Sequence, residues 1–452
     1  MGARKPKAGG ADLKPSVGFV ALGCAKNTVD LQVMAGHLLK AGFKLAPSAD
    51  EADIVIVNTC AFIEAAREEA VSEIARAVEM KRQGLVKAVV AAGCFVQRYR
   101  ERLAPLFPDV DAFLGIDSID RIADVLEDLP SSAGKRPVLV PPGQAKKVFD
   151  PPVKALRFSG AAFAYLKIAE GCAHRCAYCA IPAIRGPYRS RSLDSIVAEA
   201  RELVATGVKE LNVIAQDPML YGVDLKPKLD LVALLNAIDA IEGDFRVRVL
   251  YSYPSEITDS FLAWMNTSPH AVKYIDVPLQ HTDPAVLERM CRKGAIKATL
   301  EAAKRLRAAV PGVTLRTTVM TGFPGETEKR FERMLADLKE MAFDHLGAFA
   351  FSPEEGTLAA GMGGRPSKAV AEERLKAVMR QQRAIWRSIA KRMLGGTFKA
   401  LAVAPTVARL ESQAPEVDGE VRLVGGVAKV GEWIDVKLVK VSGFDFEGVV
   451  VK

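Results

Sequence analysis

Short runs of consecutive apolar residues alternate along this chain with longer stretches in which apolar positions recur at helical spacing. Residues 17–22 form the first such run, and a helical stretch follows over about 28–41. A second run covers 53–58, with helix after it to about 82, and a third covers 87–92 before the helical pattern returns. Runs of this length, rich in β-branched residues and separated by amphipathic segments, predict a parallel sheet with helices on its faces. Prolines 137, 141, 142, 151 and 152 then interrupt the pattern, and 131–157 reads as a linker or an extended strap. The alternation resumes with strands near 164–168, 210–215, 246–251, 273–277, 314–320 and 345–351. Six β-α units fit an incomplete barrel of the TIM type, whose site is built by loops at the strand C-termini.

A long basic helix is expected over 367–394, after which 398–452 shows short strand-like runs, several glycines and little helical periodicity. A small antiparallel barrel or sandwich is the architecture that suits it. The fold class is therefore α/β with an all-β end. The expected organisation is a basic tail at 1–15, a parallel α/β domain at 16–130, the linker at 131–157, the barrel at 158–387 and the all-β domain at 388–452.

Composition changes this picture little. The chain has 452 residues, 49% of them hydrophobic, which supports several cores. No run approaches the ~20 apolar residues of a membrane helix. The first fifteen residues carry Arg4, Lys5 and Lys7 but no apolar segment, and read as a disordered tail rather than a signal peptide. The seven cysteines are an odd number, six of them in patterned places. That favours metal ligation in a reducing, cytoplasmic setting over disulfides.

The densest chemistry lies in Glu170-Gly-Cys-Ala-His-Arg-Cys-Ala-Tyr-Cys-Ala-Ile-Pro182. Intervals of three and two residues let one loop direct Cys172, Cys176 and Cys179 at a single centre. With no fourth thiolate nearby, a bound cubane iron–sulfur cluster would keep one iron open for a ligand. Zinc is the alternative, but it usually wants a second Cys/His pair at similar spacing, and none follows. The other patterned cysteines sit after the first three strands: Cys24, Cys60 and Cys94, about 35 positions apart, which parallel strands bring to one sheet edge. Any one alone would more often be a buried thiol. Three at equivalent places predict a second cluster.

The cysteine loop resembles the CxxxCxxC signature of the radical S-adenosylmethionine enzymes. The whole arrangement from about Ser16 is similar to the methylthiotransferase branch, which joins a three-cysteine domain, a radical core and a TRAM domain. Within that branch, Ala215-Gln-Asp217, Tyr274-Ile-Asp-Val-Pro-Leu-Gln-His281, Phe351-Ser-Pro-Glu-Glu-Gly-Thr357 and Ala414-Pro-Glu-Val-Asp-Gly419 resemble the enzymes that modify an aspartate of small-subunit ribosomal protein twelve. The tRNA-modifying branch usually reads Gln-Asn at the first place and Gln-Ser-Gly-Ser near the second, and this chain departs from both.

The resemblance implies two 4Fe-4S clusters and S-adenosylmethionine as cofactors. One cluster, on Cys172, Cys176 and Cys179, would cleave the sulfonium to a 5′-deoxyadenosyl radical. The other, on Cys24, Cys60 and Cys94, would hold the sulfur that is transferred, after methylation by another S-adenosylmethionine. The radical removes hydrogen from the β-carbon of the target aspartate, which then takes the methylthio group. The six cysteines are in this sense catalytic. An electron donor and a sulfur source are implied partners.

By the same resemblance, Tyr178 would lie beside the adenine, or simply pack under the loop. Gln216 and Asp217 end the second barrel strand, where the family grips the methionine part. Arg316 could meet its carboxylate or form a barrel ion pair. Thr321-Gly-Phe-Pro-Gly-Glu326 lacks the Lys-Ser/Thr of a phosphate loop and reads as a strand-to-helix turn. His174 is expected at the surface, His281 as a structural histidine, and Cys291 as inert within a basic helical run.

The net charge of +8 points to an acidic partner. Its distribution argues otherwise, because residues 399–452 hold seven basic and eight acidic side chains. An acidic segment with Glu416, Asp418 and Glu420 would suit a basic ribosomal protein better than tRNA. Two other readings stay open: a tRNA methylthiotransferase acting beside the anticodon, and a zinc-dependent RNA-binding protein without catalysis.

Overall fold

The structure, a computed structural model, describes residues 14–129, 136–151, 156 and 162–451. Most of the expected tail and parts of the expected linker lie outside these residues. The chain divides into two compact units, the first ending at Val153 and the second beginning at Lys154.

The first unit is a parallel α/β layer. Its elements are β1 (Ser16–Ala21), α1 (Ala25–Lys40), β2 (Lys44–Leu45), β3 (Ile54–Thr59), α2 (Glu64–Arg82), β4 (Ala88–Gly93), α3 (Cys94–Tyr99), β5 (Ala112–Leu114), α4 (Ile122–Asp128) and β6 (Val138–Leu139). The strands lie in the order β2-β1-β3-β4-β5-β6. Every residue of β3 and β4 is buried, which is why they read as unbroken apolar runs. The proline-rich stretch is less of a linker than its composition suggests. It supplies the edge strand β6, paired with β5, and the amides of Lys146 and Lys147 donate to Asp117.

The second unit begins with β7 (Phe163–Lys167), β8 (Ala169–Glu170), α5 (Ile181–Arg185), β9 (Arg189–Ser190), α6 (Leu193–Ala205), β10 (Glu210–Ile214), α7 (Leu231–Asp239), β11 (Arg246–Val249), α8 (Asp259–Thr267), β12 (Tyr274–Asp276), α9 (Pro284–Arg289), α10 (Ile296–Ala309), β13 (Thr314–Thr321), α11 (Glu328–Met341), β14 (His345–Ala350) and α12 (Lys368–Met393). Two parallel three-stranded sheets, β7-β10-β11 and β12-β13-β14, are joined by a parallel bridge from Val247 to Ala271. This is the open six-stranded barrel that the alternation predicts. Helix α12 continues past residue 388 to Met393, so the all-β part starts at β15 (Thr397–Ala404). With β16 (Val407–Leu410), β17 (Val421–Leu423), β18 (Trp433–Ser442) and β19 (Asp445–Val451) it closes into a barrel.

Buried polar contacts tie this small barrel to side chains near the strand starts of the large one. Glu210 meets Arg248 at 3.1 Å and Arg409 at 2.9 Å. The Tyr165 hydroxyl donates to Glu416 at 2.6 Å and that of Tyr274 to Asp418 at 2.7 Å. Of the three acidic residues that the sequence offered to a basic partner, Asp418 is thus taken up inside the unit, while Glu416 and Glu420 stay exposed. Arg316 shows the ion-pair alternative: it reaches Asp418 at 2.6 Å and Asp276 at 3.8 Å, at the end opposite the strand C-termini.

Candidate active site

In the first unit the loops after β1 and β3 and the first residue of α3 carry Cys24, Cys60 and Cys94 to one edge. The glycines before two of them make this possible. Gly23 (φ 99°) and Gly93 (φ 97°) adopt a conformation that L side chains rarely take. A Cβ on Gly23 would stand 2.9 Å from that of Cys60, and one on Gly93 would stand 2.6 Å from Asn58 Oδ1. Asn27, in the first turn of α1, knits the loops together. It accepts from Cys24 Sγ at 3.2 Å and donates to the Thr59 carbonyl at 3.0 Å and to Cys94 Sγ at 3.8 Å. Asn58 in turn donates to the Asn27 carbonyl at 2.7 Å. Cys60 and Cys94 are buried and Cys24 is exposed, so the group opens on one side.

In the second unit the three-cysteine loop leaves the end of β8. Gly171 turns it at φ 74°, and the Cys172 amide donates to the Gly186 carbonyl. Ala177 is fixed from both sides, its amide to Met290 at 3.0 Å and its carbonyl accepting from Ala359 at 2.8 Å. Beneath the loop Glu170 is buried among cations. Burial alone would raise its pKa, but Arg185 at 2.9 Å and Lys167 at 3.0 Å hold it well below the usual carboxylate range. Its other contacts are the Gly171 amide and Gln216 Nε2, which couples the second strand to the loop.

A ring of side chains then encloses the loop. His174 is not simply surface-exposed: its Nε2 lies 2.6 Å from Asp217, and its ring stacks on Tyr253 at 3.8 Å. The other oxygen of Asp217 accepts from the Met219 amide. Arg292 sits over Tyr253 at 4.2 Å, donates to the Pro278 carbonyl, and places Nη1 3.8 Å from Cys176 Sγ. Its guanidinium is almost wholly buried. Tyr178 packs edge-on to Phe323 in a cluster with Met320 and Phe351. Burial pushes the Cys179 thiol up, with the Cys176 and Cys172 thiols adding to it.

Sequence reasoning missed Asn27, Tyr253 and Arg292. Helix α9 ends at Arg289, Cys291 is exposed in a left-handed conformation, and only then does Arg292 turn inward. The expected helical run hid that reversal. Tyr251 and Gln280, at φ 74° and 70°, follow β11 and β12 on the same edge. Non-glycine residues held there mark over-determined local structure, which clusters at functional sites. His281 is structural, between Glu326 and the Asp283 amide. The glycine-rich turn binds its own chain, Gly322 to Glu326 and Gly325 to the Gly364 carbonyl.

The donors fit an iron–sulfur cluster and a polar ligand. Three soft thiolates beside a buried guanidinium suit iron–sulfur chemistry. Gln216 Oε1, Ser252 Oγ, Gln280 Oε1 and Thr282 Oγ1 are buried with no hydrogen-bond partner, and all follow barrel strands. A polar ligand relieves that cost. Among the described residues no three His, Cys, Asp or Glu side chains surround a single point as one ion needs. Also among them, no helix is long and apolar enough to cross a membrane.

Comparison with known proteins agrees with this geometry. Residues 166–338 match the Radical SAM superfamily, 16–115 the uncharacterized protein family UPF0004, and 403–451 the TRAM domain. The ribosomal protein uS12 methylthiotransferase RimO of Geobacter sulfurreducens is 38% identical over 448 residues, covering 98% of this chain and 100% of that protein. Its counterpart in Moorella thermoacetica is 41% identical, covering 96% and 98%. Among solved structures, the radical S-adenosylmethionine methyltransferase TsrM of Kitasatospora setae, with cobalamin and a 4Fe-4S cluster bound, aligns with a TM-score of 0.54 at 15% identity. That alignment covers 87% of this chain and 77% of TsrM, and shows the fold alone.

Proposed function

This chain belongs to the radical S-adenosylmethionine methylthiotransferases of the RimO family, and from that membership we propose that it exchanges a β-carbon hydrogen of an aspartate in ribosomal protein uS12 for a methylthio group. The observation that carries the reading is near-full-length identity to uS12 methylthiotransferases in a chain whose six patterned cysteines form two groups at strand C-termini.

Cys172, Cys176 and Cys179 would hold the 4Fe-4S cluster of the radical core. Cys24, Cys60 and Cys94, on segments that Asn27 ties together through Cys24, Thr59 and Cys94, would hold a second. When bound, the radical-core cluster and S-adenosylmethionine supply the one-electron chemistry that opens an unactivated C–H bond, for which acid–base groups offer no handle. The chain's own work is to hold and position. Glu170 couples Gln216 to the root of the cysteine loop. Gln216 Oε1, buried and unpartnered, faces the demand of the methionine part, while Asp217 fixes the loop through His174. Tyr178 supports the loop from below and lies beside the adenine in this reading.

Mass spectrometry after anaerobic incubation of reduced, cluster-loaded protein with S-adenosylmethionine tests the substrate, with uS12 and unmodified tRNA offered in parallel. A methylthio gain on an aspartate peptide is expected. A gain on tRNA alone would overturn the proposal. Iron analysis tests the second cluster: replacing Cys172, Cys176 and Cys179 by alanine should leave about four irons of roughly eight. Complete loss of iron and colour would remove it.

A further inference from the structure

Helix α12 presents two opposed faces. Ala371, Val378, Gln382, Trp386 and Ala390 are buried, with Gln382 donating to the Phe343 carbonyl and Trp386 to that of Gly443. Lys376, Arg380, Arg383, Arg387 and Lys391 recur at intervals of four, three, four and four residues, and all five are exposed. At 1.5 Å per residue they form one stripe about 22 Å long. None forms an ion pair with another described residue. Glu372 and Glu373 close the stripe at its start, and from Lys376 to Arg392 no acidic residue interrupts it.

The arrangement has a cost within the chain. Like charges four residues apart, as in Lys376/Arg380, Arg383/Arg387 and Arg387/Lys391, each destabilise a helix by roughly 0.2–0.5 kcal/mol. The favourable pull of the helix C-terminus acts only over the last turn and so covers only its final residues. A face that merely kept the helix soluble would mix signs, as α11 does with its Arg333–Asp337 pair.

We propose that this stripe is a docking surface for the phosphate backbone of an RNA helix. An uninterrupted row of long cations on a rigid helix complements a row of phosphates and carries no sequence preference. The choice of RNA rests on the uS12 reading, because a ribosomal protein in its assembled place is surrounded by RNA phosphate. The stripe would hold the enzyme at such a particle while the strand C-termini meet the target aspartate.

The test compares the full-length cluster-loaded protein with two triple variants of equal net charge. One carries Arg380→Gln, Arg383→Gln and Arg387→Gln; the other carries Lys297→Gln, Lys304→Gln and Lys329→Gln, three exposed cations elsewhere on the second unit. Binding of a labelled RNA duplex of about 16 base pairs is followed by anisotropy from 50 to 300 mM salt. The stripe variant should lose at least tenfold in affinity, and its log–log salt slope should fall by roughly 0.9 per contact removed. The control variant should lose little, and methylthio transfer to isolated uS12 should be unchanged in both. Equal losses in the two variants, or none in either, would overturn the proposal. So would equal binding of a polyglutamate of matched charge. Because RNA binding and transfer to isolated uS12 are read separately, failure of one is distinguishable from failure of the other.

Discussion

Arg316 of β13 donates from Nη1 to Oδ1 of Asp418 at 2.6 Å, joining the large barrel to the small one by an ion pair whose carboxylate is fully buried. Removing one partner of such a pair leaves a charge without compensation and costs about 3–5 kcal/mol. Arg316→Met and Asp418→Asn should therefore lower the urea midpoint of the second unit strongly. Affinity for S-adenosylmethionine, measured on the folded fraction, should stay within about twofold of the wild type. An unchanged midpoint with a tenfold loss of affinity would return Arg316 to the cofactor.

His345 makes the same junction sensitive to pH. Burial lowers its pKa below the ordinary 6.5, against the opposing pull of Asp418, and its Nε2 bonds the Ser412 carbonyl. Arg316 and Asp344 face it as well, the first lowering and the second raising its pKa. As pH falls below 6.5, the unfolded chain takes up the proton before the folded one does. Stability must then decline from 6.5 down to the depressed value. Unfolding midpoints measured between pH 7.5 and 5 should show that slope in the wild type and a flatter one in His345→Gln. Identical slopes would place the charge change elsewhere.

The fold was legible where burial dictates pattern. Strands β3 and β4, buried on both faces, and the six barrel strands lie within one or two residues of the apolar runs. The two-residue edge strands β2 and β6 were not legible, since so short a pairing leaves no periodicity. The cysteines were legible because their spacing is itself the chemistry. Their surroundings were not. Asn27 and Arg292 act through contacts with residues 67 and 116 positions away, which no local window sees. Charge counting over 399–452 was incomplete for a related reason: it could not tell that Asp418 faces inward, paired with Arg316.

Gly171 sets the entry of the three-cysteine loop. A Cβ there would stand 2.0 Å from the Pro187 carbonyl oxygen and 2.6 Å from that of Gly186, both backbone atoms that cannot swing away. Its φ of 74° adds strain for any L side chain. Gly171→Ala should fold, since the barrel core lies elsewhere, but reconstitute with roughly half the iron. Full iron would show that the loop can close around its centre along another path.

Arg292 provides the most local test of the radical core. Its guanidinium, buried and held by Tyr253 and the Pro278 carbonyl, lies 3.8 Å from Cys176 Sγ. A positive charge there stabilises the more negative, reduced form of any cluster on Cys176. A charge-assisted hydrogen bond is worth about 1.5–3 kcal/mol, which for a one-electron couple corresponds to roughly 65–130 mV. Arg292→Met should therefore shift the midpoint potential of that cluster downward by an amount of this order, with iron content retained. Arg292→Lys should recover part of the shift, because it restores the charge without the fork. Redox titration followed by electron paramagnetic resonance separates this from a structural role, which would broaden or abolish the signal and leave its potential where it was.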